Sequence, residues 1–126
     1  MSNRQLHPKK EIHVIIDWLI EQFPQAFFKK SVKVKPLQIG IFEDIVDYYE
    51  RLDIPPFSKK QLRDAIAYYS ASPAYLNAQK PQTARVDLYG NEVDVVTDDQ
   101  AKYAAMRYKT RYHEKEETID TKEFPS

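Results

Sequence analysis

Apolar residues recur every three or four positions in three stretches of this chain and alternate with polar ones in three others. Ile12, Ile15, Ile16, Leu19, Ile20 and Phe23 keep helical spacing, which predicts an amphipathic helix from about Glu11 to Gln22, ended before Pro24. Trp18 and Phe27 are expected to join its core. Ile41, Phe42, Ile45, Val46 and Tyr49 give a second helix with an acidic outer face, closed by Asp53 to Pro56. Leu62, Ala65, Ile66 and Tyr69 form the inner stripe of a third. Its start is marked by Ser58-Lys59-Lys60-Gln61, a capping-box pattern in which serine and glutamine side chains satisfy orphan backbone amides. Ser70 to Pro73 ends that helix, and Ala74 to Ala78 suits one more helical turn.

Two segments alternate. Ala84-Arg85-Val86-Asp87-Leu88 and Val93-Asp94-Val95-Val96 flank Tyr89-Gly90-Asn91-Glu92, a β-hairpin signal. Lys29 to Lys35 alternates apolar and basic residues, which predicts a short exposed strand or extended loop presenting lysines, broken by Pro36. Thr97 or Asp98 caps a last helix. Its acids lie in the first turn and Arg107, Lys109 and Arg111 lie late, the order that the helix dipole favours. Tyr48, Tyr49, Tyr68 and Tyr69 lie beside aliphatic residues, and at least two of them are expected in the core.

The 126 residues fit one domain, with polar flexible segments expected at 1–10 and 114–126 around a body at 11–113. The absence of cysteine excludes a disulfide scaffold, a thiolate nucleophile and cysteine-ligated zinc. Met1 to Lys10 is polar and basic with no apolar run behind it. The longest apolar cluster, Val14 to Ile20, is interrupted by Asp17 and is far shorter than the roughly 18 to 20 residues that cross a bilayer. A soluble cytoplasmic protein is the expectation, with a monomer as the default. His7, His13 and His113 are far apart and no metal-ligand spacing occurs, so neither metal nor other cofactor is expected. Nucleophile-elbow and phosphate-cradling motifs are missing too, and catalysis is not expected.

Net charge is zero, unlike many nucleic-acid-binding domains. The average conceals blocks of alternating sign. Lys29, Lys30, Lys33 and Lys35 precede Glu43, Asp44, Asp47 and Glu50. Lys59, Lys60, Arg63, Lys80 and Arg85 precede Asp87, Glu92, Asp94, Asp98 and Asp99. Such blocks can fold into one basic and one acidic face, and a polarised field steers a polyanion even at zero net charge. Evenly mixed, solvated charge is the plain alternative.

Three stretches resemble the ProQ/FinO domain in order and spacing: Pro36-Leu37-Gln38-Ile39-Gly40-Ile41-Phe42, Ser58-Lys59-Lys60-Gln61-Leu62-Arg63-Asp64-Ala65, and Ala84-Arg85-Val86-Asp87-Leu88-Tyr89-Gly90-Asn91. With the Phe23-Pro24 helix end and Tyr75-Leu76, the similarity runs from about Glu11 to Arg111. The resemblance implies a mostly α fold with small β-hairpin elements, an α+β arrangement in a single domain. It further implies a bacterial RNA chaperone of post-transcriptional regulation that binds small RNAs and mRNA 3′ ends. Terminator-like hairpins with a single-stranded 3′ uridine tail would be its preferred RNAs. The family's RNA-binding face carries over to Lys35, Gly40, Lys59, Arg63, Tyr75 and Arg85, with Ser70 and Ser72 near the RNA's 3′ terminus. Gln38 stands where the family often has lysine, Ala67 where a further arginine can occur, and Pro73 where an aromatic residue is frequent.

Each of these residues also has a structural role to weigh. Lys59 and Arg63, four residues apart, would by periodicity alone be a solvated helix face; the resemblance turns them toward phosphates, where each contact releases counterions. Arg85 can pair with Asp87 or another acid, yet its guanidinium suits forked recognition of a phosphate, and that reading is favoured. Tyr75 either buries its ring with a wet hydroxyl or stacks on an unpaired base, and the sequence leaves both open. Ser70 and Ser72 end a helix or receive a terminal ribose, and Gly40 serves a turn or a close approach. Two rival functions remain at this point: a protein-interaction module with weak non-specific RNA binding, and a small nuclease.

Overall fold

A computed structural model describes residues 8–113 of the chain. Helix α1 (Pro8–Gln22) begins earlier than the periodicity predicts, with proline in its first position, where a missing N–H costs nothing. It buries Ile15 and Leu19, and the turn after it buries Phe23, Ala26 and Phe27. Helices α2 (Ile41–Glu50) and α3 (Lys59–Ser70) follow, each burying the apolar stripe read from the sequence: Ile41, Ile45 and Tyr49 on one, Leu62, Ala65, Ile66 and Tyr69 on the other. α3 packs across α1, and α2 leans on α3. The capping box at its start is complete: Ser58 accepts from the Gln61 amide at 3.1 Å and Gln61 accepts from the Ser58 amide at 2.8 Å.

Lys29 to Lys35 departs from the strand expectation. Ser31–Lys33 forms a 3-10 turn, and of the two valines in the alternation Val32 is 90% exposed while only Val34 packs against the core. A strand needs a partner for its backbone groups, and pairing begins only at Leu37, which bridges Val86 in parallel.

After the short helix α4 (Pro73–Ala78), strands β1 (Ala84–Val86) and β2 (Glu92–Val95) form the antiparallel hairpin, with Ala84 opposite Val95 and Arg85 opposite Asp94. A bulge falls between Arg85 and Val86. Bulges re-aim side chains, and here two consecutive residues are both buried, Val86 in the core and Arg85 beside α5. On its other edge β1 is held by Pro36–Gln38: Val86 donates to the Pro36 carbonyl at 3.0 Å and Gln38 donates to the Val86 carbonyl at 2.8 Å. Helix α5 (Asp98–Tyr108) packs on α4 and passes into a π-turn at Lys109–His113. Thr97 is its cap, again with a complete capping box, here with Gln100.

Tyr49 and Tyr69 are core residues, while Tyr68 is 40% exposed. Among the described residues no helix is long and apolar enough to cross a membrane. Of the terminal segments expected at 1–10 and 114–126, residues 8–10 belong to α1, and residues 1–7, with His7, and 114–126 lie outside the described residues.

Candidate nucleic-acid interface

The elements around β1 leave an open cavity of about 430 Å³ between α4 and α5. Ser70 reaches it from the last position of α3, Tyr75 from α4, Arg85 from β1, and Gln100, Tyr103 and Arg107 from α5. Three of the eight predicted residues therefore meet in one place.

Arg85 is only 6% exposed. One terminal nitrogen donates to the Leu37 carbonyl at 2.9 Å and the other to Gln100 Oε1 at 3.1 Å, while its Nε–H is buried without an acceptor. Among the described residues it makes no ion pair. Pairing with Asp87, the alternative open from sequence, does not occur, because that carboxylate is engaged by its own turn. Asp87 accepts from the amides of Tyr89 and Asn91, both at 2.9 Å, and from the Asn91 side chain at 3.1 Å. Slight desolvation would raise its pKa, but the hydrogen bonds from Asn91, Tyr89 and Gly90 outweigh that and hold it below the ordinary value.

Tyr75 resolves as a half-buried ring whose hydroxyl is occupied: it accepts from the Leu37 amide at 2.9 Å, and the ring leans on Tyr69 at 5.9 Å between centroids. Leu37 is thus fastened by both of its backbone groups to site side chains. Ser72 is the N-cap of α4, accepting from the Tyr75 amide and donating to the Tyr69 carbonyl. It faces a separate hollow that contains His13, Phe28 and Lys29, and Lys35 belongs on that side too, its ammonium 5.6 Å from the Phe28 ring centre.

Lys59 and Arg63 project from α3 toward α2. Lys59 pairs with Glu50 at 2.6 Å and the Arg63 guanidinium lies 5.0 Å from the Phe42 ring centre. Helical geometry places Lys59, Arg63, Ala67 and Ser70 within an arc of roughly 80° on α3. The stripe that carries the two cations accordingly ends at the cavity. Gly40 adopts a left-handed conformation (φ +86°) at the N-cap of α2, and a side chain there would meet nothing nearer than 3.8 Å, so backbone conformation rather than space selects glycine. It sits between Ile39, which lines the cavity, and Phe42, which supports Arg63.

A model of the ProQ/FINO family matches residues 9–121. The chain belongs to the ProQ/FinO family. RNA chaperone ProQ of Aeromonas salmonicida is 40% identical over 109 residues, covering 86% of this chain and 49% of that protein. The Idiomarina loihiensis RNA chaperone ProQ is 41% identical over 90 residues, 71% of this chain and 42% of the relative. The chain therefore spans about half the length of these relatives. The solution structure of a ProQ homolog from Legionella pneumophila superposes with a TM-score of 0.73 at 68% identity, covering 85% of this chain and 87% of that one. A FinO-like RNA chaperone from Neisseria meningitidis, at 22% identity and a TM-score of 0.59 over 80% of this chain and 76% of that one, shares the fold.

The three departures from the ProQ/FinO pattern fall on different surfaces. Ala67 interrupts the α3 stripe between Arg63 and Ser70. Pro73 occupies the first position of α4, where it is favourable. Gln38 lines a hollow with Asp44, Asp47 and Asp87, so the position often held by lysine here borders carboxylates. Sequence reasoning missed Gln100, Tyr103 and Arg107. Their signal was present: they recur at three- and four-residue spacing after the Thr97 cap, on one side of α5.

Proposed function

We propose that this chain is an RNA-binding chaperone domain that receives the 3′ end of a structured RNA in the Arg85 cavity while the α3 cations hold the adjoining stem. The observation that carries this reading is Arg85 itself: a permanently charged guanidinium, almost fully buried, with no carboxylate among the described residues pairing it and donors to spare, at the edge of an open cavity. A buried charge without a counter-charge is costly, and an anionic ligand supplies one. The family and the named relatives point to RNA as that anion.

Lys59 and Arg63 lead up to the cavity along one helix face, which suits a duplex stem whose A-form major groove hides its bases and offers phosphates instead. Ser70 at the cavity wall supplies a hydroxyl suited to a terminal ribose, a contact that favours RNA over DNA. Tyr75 orders the cavity through Leu37 and offers a ring edge to the ligand. Terminator-like hairpins with a single-stranded 3′ uridine tail, in small RNAs and mRNA 3′ ends, are the RNAs that fit this arrangement. Lys35 and Ser72, on the neighbouring hollow, are assigned peripheral roles.

The test is binding of a hairpin with a 3′ uridine tail, free at its 3′-OH or 3′-phosphorylated, to the wild type, Arg85→Lys and Arg85→Ala. Tight binding by the wild type that weakens on 3′ phosphorylation, and weakens about tenfold or more with either substitution, supports the reading. Arg85→Lys keeps the charge and loses the fork, which separates geometry from charge. Weak binding equal across all RNAs and variants reduces the protein to an interaction module.

A further inference from the structure

The cavity does not end at Arg85. Tyr103 and Arg107 line it and also line a second hollow of about 230 Å³ along α5, together with Met106, Thr110 and Arg111. Tyr103 stands at the boundary of the two with 64% of its surface exposed, and the Arg107 guanidinium lies 5.9 Å from its ring centre. An aromatic ring left open beside cations is a poor arrangement for folding, since it buries little apolar area. It is a good one for a single-stranded nucleic acid, where each base offers a π-face and each linkage a negative charge.

We infer that Tyr103 and Arg107 form a second nucleotide subsite, in which the base preceding the 3′-terminal nucleotide stacks on Tyr103 and the phosphate joining the two sits on Arg107. The inference rests on the RNA-binding reading above and extends it. Charge sets the polarity of the strand. Asp99 lines the first cavity, eight residues and about 12 Å before Arg107 on the same helix. Its carboxylate accepts hydrogen bonds from hydroxyls and repels phosphates, so the terminal ribose belongs at that end and the linking phosphate toward Arg107 and Arg111. Among the described residues, none that lines the second hollow is acidic. Aromatic stacking tolerates any base, so this subsite counts nucleotides rather than reading their identity.

The experiment uses the full chain and the same 3′-tailed hairpin, either intact or carrying an abasic site next to the 3′-terminal nucleotide. Tyr103→Ala weakens binding of the intact RNA about 5- to 100-fold, while Tyr103→Phe, which keeps the π-face, binds nearly as the wild type does. The abasic RNA binds the wild type as weakly as the intact RNA binds Tyr103→Ala, and combining the two changes costs no more than either alone. Replacing the adjacent base with 2-aminopurine gives a fluorescence that is quenched on binding the wild type but not Tyr103→Ala. Arg107→Ala lowers affinity and flattens the salt dependence by about 0.7 of a slope unit. Full binding of the intact RNA by Tyr103→Ala, with the Arg85 dependence intact, overturns the second subsite and leaves the parent reading standing. No binding by the wild type overturns both.

Discussion

Two glycines with almost the same backbone angle answer to different constraints. Gly40 (φ +86°) faces open space, whereas a Cβ on Gly90 (φ +87°) would lie 2.8 Å from the Gln25 Cβ, a collision with a neighbouring segment. Gly40→Ala is expected to lower stability by about 1 kcal/mol, the cost of a left-handed alanine, and Gly90→Ala by clearly more, as read from urea unfolding. Asp87 is the acid-sensitive residue of the same hairpin. Its folded-state pKa is depressed, so its contribution is complete above the ordinary aspartate value of about 3.9 and disappears as pH falls through the lower folded value. Asp87→Asn should therefore be less stable than the wild type at neutral pH, and that gap should shrink on acidification below pH of about 3.9. Arg85 marks where residue-level reading fails. Arginine is ordinarily exposed, and nothing local to Ala84-Arg85-Val86 announces that a bulge turns it inward to a carbonyl and an amide.

At the level of elements, two helices begin with the same chemistry and differ in what the cap also touches. In α3, Gln61 closes the box on Ser58 and its amide nitrogen makes one long contact to Glu11, at 3.4 Å. In α5, the Gln100 Oε1 that accepts from the Thr97 amide at 2.9 Å also accepts from Arg85. Gln61→Ala and Gln100→Ala should each cost about 1 kcal/mol of stability. Only Gln100→Ala should also weaken binding of the 3′-tailed hairpin, because it releases the guanidinium. Equal affinity of the two variants, measured side by side, would remove Gln100 from the site. The first box was legible in four consecutive residues, whereas α5 was legible from Thr97 or Asp98 as its cap and from its charge order, its own box emerging only in the structure. For Lys29–Lys35 the strand reading fails and the exposed-loop alternative stands, because alternation predicts a strand only where a partner edge exists, and the edge of β1 is taken by Pro36–Gln38. Likewise Arg107 reads only as a dipole-matched base and Tyr103 draws no reading, because the cavity that brings them together is not visible in their spacing.

For the molecule as a whole, zero net charge conceals an arrangement rather than a balance. The Lys59–Arg63 stripe runs toward a cavity that holds Arg85 and Arg107 with Asp99, while Asp44, Asp47 and Asp87 gather with Arg51 in a separate hollow around Gln38. Association with RNA should accordingly weaken with salt despite the neutral total, and Arg63→Ala should reduce the slope of log affinity against log salt by about one. The Lys59–Glu50 pair is exposed on both sides, so Glu50→Gln should change stability by less than about 1 kcal/mol, within the range of surface pairs. The fastening of Leu37 has a kinetic consequence. Tyr75 holds its amide across 38 residues of chain and Arg85 its carbonyl across 48, so the cavity exists only once two of the longer loops have closed. Helices of this length form locally and early, whereas contacts this distant form late. During refolding, competence to bind RNA should lag behind the recovery of helical circular dichroism, and a chain caught part-way would have its helices without the cavity proposed to receive a 3′ end.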